Sequence, residues 1–504
     1  MRLVLFLFCI SLYLAGVVQA ARTTNTTDTT TNDSFKALLF TTRTIWTIIS
    51  SSILTLFACT YSAIHPNIPS PKYSSSLDMI WRQLGIMIMA LIAPELMVTW
   101  AMRQWLSAQQ VTRQFEESGY PSVRSAFEER VSVETPGTRN PILLLFLRVN
   151  QGTARLHLLL VTGVSSVLVS PWRFLCALVG WVARRIQSEH SEPDSEVSTW
   201  TQTHSFFVLM GGFMLYAKGE PCRTLEHKHI LRLIHEKCID VPTITAKQIH
   251  DKSKGNAISK GLVMLQVAWF VMQLITRAVY HLEITQLEVG TLAFAALNFL
   301  TYAVWWDKPL DVQCPHPVYW KSTESRPEDH IDVSDKDEFA RPRYLPRVFS
   351  PILELIGWAD IPTSRKLQVP TFDGSIKLEV QDRMALLLAG YSMGTIFGGI
   401  HCMAWFFAFP TYEEQVLWRI STVATTCIPY LCFGAYLTAE IIDSIQHDSL
   451  MRVMRGLCLM ICFPFAMLYI IARVVLLVLM FTTLRNLPPN AYKTVLWTSL
   501  VPHL

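Results

Sequence analysis

Residues 457–481 read LCLMICFPFAMLYIIARVVLLVLMF, and Arg473 is the only charged residue among them. A helix crosses the roughly 30 Å of bilayer hydrocarbon with about 20 apolar residues, so this stretch predicts a transmembrane helix. The whole chain agrees, because 51% of its 504 residues are hydrophobic, 16% are charged, and its mean hydropathy is +0.30. A soluble globular protein of ordinary composition is less apolar.

Working outward from this stretch, we find about eight apolar stretches long enough to span a bilayer. They are 45–64, 84–102, 156–182, 261–281, 284–305, 384–409, 418–437 and 457–481. The fold class expected is therefore all-α, a polytopic transmembrane helix bundle of about seven to eight spans. Pro94 interrupts the second stretch and Pro171 the third, so either is alternatively a re-entrant segment.

The N-terminus has the features of a secretory signal. Residues 1–20 place Arg2 before an apolar core and end in small residues, which predicts cleavage after Ala20. The polar tail that follows holds two N-glycosylation sequons, at Asn25 and Asn32, and indicates a lumenal start. The alternative is an uncleaved anchor helix. The expected location is a membrane of the secretory pathway, either the endoplasmic reticulum, another endomembrane or the plasma membrane.

These features divide the chain into seven regions. They are a signal peptide (1–20), a lumenal glycosylated tail (21–43), a first membrane region of two to three spans (44–183), a cytosolic basic segment (184–260), a helical hairpin (261–306), a cytosolic irregular loop (307–383) and a C-terminal membrane region of three spans (384–504). Strict alternation of spans places 103–155 in the lumen, although this segment carries seven arginines. Basic loops are usually cytosolic, so this segment disagrees with the rest.

Composition also removes several classes of function. A net charge of +4 is too small to indicate nucleic-acid binding, and we find no nucleotide-binding loop, so no cofactor is expected. His227, His229, His235 and Cys238 are metal-ligand types, but their spacing matches no known metal motif. We expect no metal there and interpret the segment as a basic amphipathic helix on the membrane surface.

Ionisable residues inside apolar helices are costly unless paired or hydrated, so each is a candidate functional position. The candidate catalytic residues are Glu95, Arg277, Glu288 and His401, and Arg473 is a further member of this set. Arg277 and Glu288 flank a short turn and are expected to pair, either as a structural salt bridge or as part of a proton path.

Gly390, Gly394 and Gly398 recur at four-residue spacing in the sixth stretch. Glycines spaced in this way let two helix backbones approach closely. His401 lies near the same face, where it is either a proton carrier or a structural histidine.

Several passages resemble a widespread family of uncharacterised fungal integral membrane proteins. The most specific are FGGIHCMAWFFAFPTYEEQVLWR (397–419) and the terminal Pro502-His503, and others include YAVWWDKPLDV (302–312). Residues 140–190 differ from the usual pattern of that family. The resemblance implies a polytopic membrane protein without an established activity, some of whose relatives are similar to proteins encoded beside genes for specialised (secondary) metabolites.

Three functional hypotheses follow. The first is a membrane-embedded enzyme or accessory protein that acts on a lipophilic specialised metabolite or lipid, because acidic and basic groups occur together without a cofactor motif. The second is a transporter, channel or receptor for a small molecule, in which the same residues line a path. The third is a membrane scaffold that gathers biosynthetic enzymes through 307–383. The expected partners are the lipid bilayer and a lipophilic small molecule.

Overall fold

The computed structural model describes residues 40–69, 76–120, 200–253, 257–321, 380–445 and 449–495, with isolated positions at 367, 369, 376 and 378. Several sequence predictions lie outside these residues, namely the signal peptide 1–20, the sequons at Asn25 and Asn32, and the predicted span 156–182.

The described residues are mostly helical, with two small sheets. The helices are α1 (Ile45–Ala63), α2 (Ser76–Ile92), α3 (Pro94–Glu117), α4 (Gln202–Leu209), α5 (His227–His235), α6 (Ala246–Lys252), α7 (Ala257–Val279), α8 (Gln286–Val304), α9 (Val380–His401), α10 (Tyr412–Ile445) and α11 (Ser449–Thr482). The strands are β1 (Phe40–Thr42), β2 (Phe213–Ala217), β3 (Glu220–Thr224), β4 (His316–Tyr319) and β5 (Lys493–Val495).

Five segments of the described residues are long and apolar enough to cross a membrane. They are Ile45–Ala63, Gln286–Val304, Asp382–Phe406, Tyr412–Thr438 and Cys462–Arg485. The apolar part of α7, Leu265–Val279, is shorter. A mostly helical fold with helices able to span a membrane is therefore confirmed, whereas the count of seven to eight spans stays a prediction.

Helix α8 is the central helix of the bundle and contacts α1, α3, α7, α9 and α11. Its polar residues are buried with their hydrogen bonds made locally: Thr291 Oγ1 donates to Leu287 O at 2.8 Å and Asn298 Nδ2 donates to Phe294 O at 2.9 Å. Bonds of this kind let a polar side chain occupy an apolar interior at little cost. The polar face of α8 therefore points into the bundle.

The second predicted span is not a straight helix. Helices α2 and α3 meet at Ala93 with a bend of 116°. Pro94 is the first residue of α3, where proline lacks only an N–H that would in any case be unpaired. A bend this sharp makes the pair either a broken span or a re-entrant segment.

A small α/β unit, which we call the cap, covers one end of the bundle. It consists of residues 200–253 and 307–320 and contains a three-stranded sheet in the order β3-β2-β4. Strands β2 and β3 form an antiparallel hairpin, whereas β4 joins β2 in parallel. Two segments that were expected to be a basic surface segment and an irregular loop thus contribute strands to one sheet.

The cap is fastened to the ends of three bundle helices. After α1, the backbone N–H of Ile68 donates to Met210 O at 3.0 Å. After α8, Lys308 Nζ donates to His65 O at 2.6 Å. At the end of α3, the ring of Phe115 stacks on that of Trp200 with centroids 3.6 Å apart. These contacts place the ends of α1, α3 and α8 together, at what we call the cap end.

Residues 103–120 lie at the cap end together with 200–253, whereas strict alternation places the two on opposite sides of the membrane; the side on which each lies stays a prediction. The arrangement of the cap corrects one expectation. Helix α5 does not lie free on a membrane surface, because Ile230, Leu231 and Leu233 on its apolar face are buried in the core of the cap.

Candidate functional site

Glu95 lies in the first turn of α3, immediately after the bend at Ala93. It is buried, with 8% of its surface exposed. One carboxylate oxygen accepts a hydrogen bond from Arg473 Nη1 at 2.8 Å, and the other accepts one from the hydroxyl of Tyr469 at 3.1 Å. Because α3 begins at this bend, the carboxylate of Glu95 lies in the interior of the bundle.

Arg473 lies near the middle of the candidate span Cys462–Arg485. Its Nη1 donates to Glu95 and also to the Tyr469 hydroxyl at 3.2 Å. These two are the only hydrogen bonds that Arg473 makes to the described residues, so Nε and Nη2 have no partner among them. Arg473 therefore pairs with Glu95 through a single nitrogen, although a guanidinium can hydrogen-bond a carboxylate through two nitrogens.

Aromatic rings form the wall beside this pair. The guanidinium carbon of Arg473 lies 3.9 Å from the ring centroid of Phe397 and 6.0 Å from that of Phe294. A guanidinium over an aromatic face is attracted to it, more strongly where water is excluded. The guanidinium of Arg473 therefore contacts both an aromatic ring and the carboxylate of Glu95.

His401 is fully buried and contacts the same phenylalanine, Phe397. Its ring lies 4.6 Å from the ring of Phe397, centroid to centroid, and its Nδ1 donates to Phe397 O at 2.8 Å. Because a carbonyl only accepts, Nδ1 carries the proton and neutral His401 presents a lone pair at Nε2. Nε2 is buried without a hydrogen-bond partner among the described residues. We call Glu95, Phe397, His401, Tyr469 and Arg473 the Glu95 cluster.

The other two candidates, Arg277 and Glu288, hydrogen-bond to a different set of residues. Glu288 pairs with Arg43 through both oxygens, at 2.6 and 3.2 Å, and also accepts from the backbone N–H of Thr285 at 2.8 Å as part of the α8 capping box. The expected direct pair with Arg277 is replaced by Arg43, which the sequence analysis did not single out.

Arg277 instead binds backbone carbonyls. It donates to Lys493 O at 2.7 Å, to Ala491 O at 3.0 Å and to Glu283 O. Strand β5 of the same C-terminal segment pairs with β1. We call Arg43, Arg277, Glu288 and residues 489–495 the clamp. Each guanidinium nitrogen of Arg43 and Arg277 and both carboxylate oxygens of Glu288 have a hydrogen-bond partner, so the clamp fastens chain segments and leaves little for a substrate.

The predicted glycine stripe on α9 is a contact surface, as expected. A Cβ added at Gly390 would lie 2.8 Å from Thr99 Oγ1, and one added at Gly398 would lie 2.6 Å from the backbone N of Thr426. One added at Gly394 would lie 3.0 Å from the ring of Pro429. The stripe holds α3 and α10 close to α9, and so fixes the distance between Glu95 and His401 on their respective helices.

Sequence reasoning found Glu95, His401 and Arg473 as ionisable residues in apolar stretches but not their association. Tyr469 carried no such signal, because a tyrosine in an apolar helix is common. Lys308 was also missed: it is buried near the rings of Trp100 and Trp305 and donates to Gln104 Oε1 at 2.8 Å. Lys308 follows the C-terminal end of α8, so its position in the sequence indicates only a lysine in a loop.

The comparisons with known proteins give a family but no activity. A family model described as a family of unknown function (DUF8562) matches residues 9–140, 179–329 and 374–504. All five residues of the Glu95 cluster lie inside the matched segments. No curated protein and no solved structure matches the chain. Because the matched segments cover most of its length, the chain belongs to the DUF8562 family.

Proposed function

We propose that this protein is a membrane-embedded enzyme that carries out acid–base chemistry on a lipophilic small molecule, with the Glu95 cluster as its site. The observation that carries the proposal is the meeting of a carboxylate, a phenol and a guanidinium beside a buried histidine with a lone pair at Nε2. Such a set contains a proton donor, a proton acceptor and a fixed positive charge.

A purely structural salt bridge explains the cluster less well. Buried ion pairs contribute little net stability, because desolvation offsets their attraction, and apolar replacements are often as stable. Ionisable residues inside a membrane are therefore most often functional. The clamp shows what a structural pair looks like in this protein: Arg43 engages Glu288 through two nitrogens, whereas Arg473 uses one.

The residues divide into roles. Nε2 of His401 accepts a proton from the substrate, and the hydroxyl of Tyr469 donates one. Arg473 stabilises negative charge that develops between them, an effect that is strong where water is excluded. Glu95 holds Tyr469 and Arg473 in place in the ligand-free protein. Together these steps suit isomerisation, cyclisation or hydrolysis of a lipophilic compound.

The test compares metabolite profiles of cells that carry the wild-type protein, no protein, or the His401→Gln variant. Glutamine removes the basic nitrogen, so the variant is expected to accumulate the same compounds as cells without the protein. His250→Gln, an exposed position in the cap, is the matched control and is expected to behave as wild type. A wild-type profile from His401→Gln would refute the proposal.

A carrier for a small molecule is the second candidate, favoured by the 116° bend between α2 and α3. Broken helices with a charged residue at the break are typical of transporter binding sites. Proteoliposomes separate the two functions, because an enzyme changes the chemical identity of the compound whereas a carrier changes only the side on which it is found.

A further inference from the structure

We infer that the ligand of the Glu95 cluster is a lipophilic monocarboxylic acid, and that Glu95 occupies the place of its carboxylate on Arg473. This inference rests on the proposed function and adds the chemical class of the substrate. Three features of the cluster carry it: the incomplete pairing of Arg473, the chemistry of the surrounding walls, and the position of Glu95 on the chain.

The first feature is the unused capacity of Arg473. Both of its hydrogen bonds to the described residues leave from Nη1, so Nε and Nη2 remain available to an acceptor. A carboxylate is the planar anion whose two oxygens match two guanidinium nitrogens. Arg43 achieves this fork with Glu288 elsewhere in the same protein. An incoming carboxylate can therefore bind Arg473 at more points than Glu95 does.

The second feature is the surroundings. The rings of Phe397 and Phe294 lie beside the guanidinium, which favours an apolar body next to the anionic group. Within the described ranges, no lysine or second arginine contacts Glu95 or Arg473. A single positive charge suits a monoanion and argues against phosphate, which carries more charge.

The third feature is the position of Glu95 at the bend. It lies in the first turn of α3, and α2 before the bend exposes much of its apolar surface, including Trp81 at 69% and Ile92 at 64%. A change of the Glu95 side-chain rotamer at the start of this helix would free Arg473. The remainder of α3 stays packed against α8 and α9.

The exchange of one carboxylate for another on Arg473 conserves both charge and protons. The acid enters from the bilayer in its neutral form, since a lone carboxylate is costly in hydrocarbon. Its O–H bond breaks and an O–H bond forms on Glu95, so that Glu95 becomes neutral and the new carboxylate binds Arg473. Aspartic, glutamic and simple carboxylic acids have similar proton affinities, and the net charge of the cluster is unchanged.

The test measures saturable binding of radiolabelled decanoate to the full-length protein in detergent, with decanol as the uncharged competitor. Glu95→Gln removes the internal competitor and is expected to bind decanoate at least about tenfold more tightly than wild type, equivalent to about 1.4 kcal/mol. Arg473→Met is expected to lose saturable binding. Arg485→Met, at an arginine that is 54% exposed, is the matched control and is expected to bind as wild type.

Two results would overturn the inference: equal decanoate binding by Arg473→Met and wild type, or equal competition by decanol and decanoate. Because Arg473→Met leaves Glu95 unpaired, Glu95→Met/Arg473→Met provides a second, uncharged version that is expected to fold and not to bind. The His401→Gln variant separates this inference from the proposed function. If His401→Gln still binds decanoate and leaves the metabolite profile unchanged, the proposed function alone is refuted. If His401→Gln abolishes the metabolite conversion but the wild-type protein does not bind decanoate, the ligand class alone is refuted.

Discussion

The Glu95–Arg473 pair makes a quantitative prediction about stability. The two side chains are 10% and 9% exposed and their charged atoms lie 2.8 Å apart. Replacing one partner leaves the other charged and buried, which typically costs about 3 to 5 kcal/mol. We therefore expect Glu95→Met and Arg473→Met each to lose about that much free energy of unfolding.

The double variant distinguishes a buried pair from two independent residues. Additivity would make Glu95→Met/Arg473→Met lose about 6 to 10 kcal/mol. We expect it instead to be at least as stable as either single variant, because two apolar side chains of similar length carry no desolvation cost. Methionine is unbranched and a good helix former, so neither replacement should disturb α3 or α11.

The assay is equilibrium unfolding in mixed micelles with increasing dodecyl sulfate, followed by tryptophan fluorescence and extrapolated to zero denaturant. The matched control is the pair formed by Arg485 and Glu414 at 2.9 Å, in which the arginine is 54% exposed. Its coupling energy is expected to be below about 1 kcal/mol. Single-variant losses as small as those of the control would refute the reasoning that the Glu95 cluster is desolvated.

Three further predictions follow from other parts of the structure. Gly398→Ala places a methyl group against the backbone of α10 and is expected to lower the free energy of unfolding by about 1 to 3 kcal/mol. In Gly399→Ala the new methyl group meets nothing within 4 Å, so the free energy of unfolding is expected to rise by up to about 1 kcal/mol. Unfolding in mixed micelles measures both variants, and equal effects would contradict the packing. Arg277→Lys cannot reproduce the fork of carbonyl contacts and is expected to make the C-terminal segment more accessible to carboxypeptidase at unchanged bundle stability; unchanged digestion would contradict the role of the clamp. In the cap, burial lowers the pKa of His204 below its usual 6.5, so the folded cap binds fewer protons than the unfolded cap and loses stability as pH falls below about 6.5; hydrogen exchange in the cap should show this loss in wild type and in the exposed control His235→Gln, but less in His204→Gln.

The sequence predicted the class of fold because hydropathy reports it directly. The apolar stretches 45–64, 284–305 and 457–481 each contain a helix, since a lipid environment leaves an apolar chain few alternatives to helix. The same reasoning failed at Ala93. Apolar length alone does not distinguish a span from a bent pair, and Pro94 is compatible with both a kinked helix and the start of a new one.

The candidate site was predicted as a list of residues but not as a site. Glu95 and Arg473 are 378 positions apart in the chain, and no local pattern indicates which buried acid meets which buried base. Arg277 and Glu288 were expected to pair because they are close in sequence. Arg43 takes that place because β1 brings it to α8, a long-range contact that depends on strand pairing with β5.

The pairing of β1 with β5 has a consequence for biogenesis. Arg43 contacts Ala491 across 448 positions of the chain, so this connection forms only after residue 491 has been synthesised. Until then Arg43 and Arg277 lack the carbonyl acceptors that residues 489–495 supply. Deleting 489–495 should therefore leave the described membrane helices intact and yet produce a chain that quality control recognises as incompletely folded.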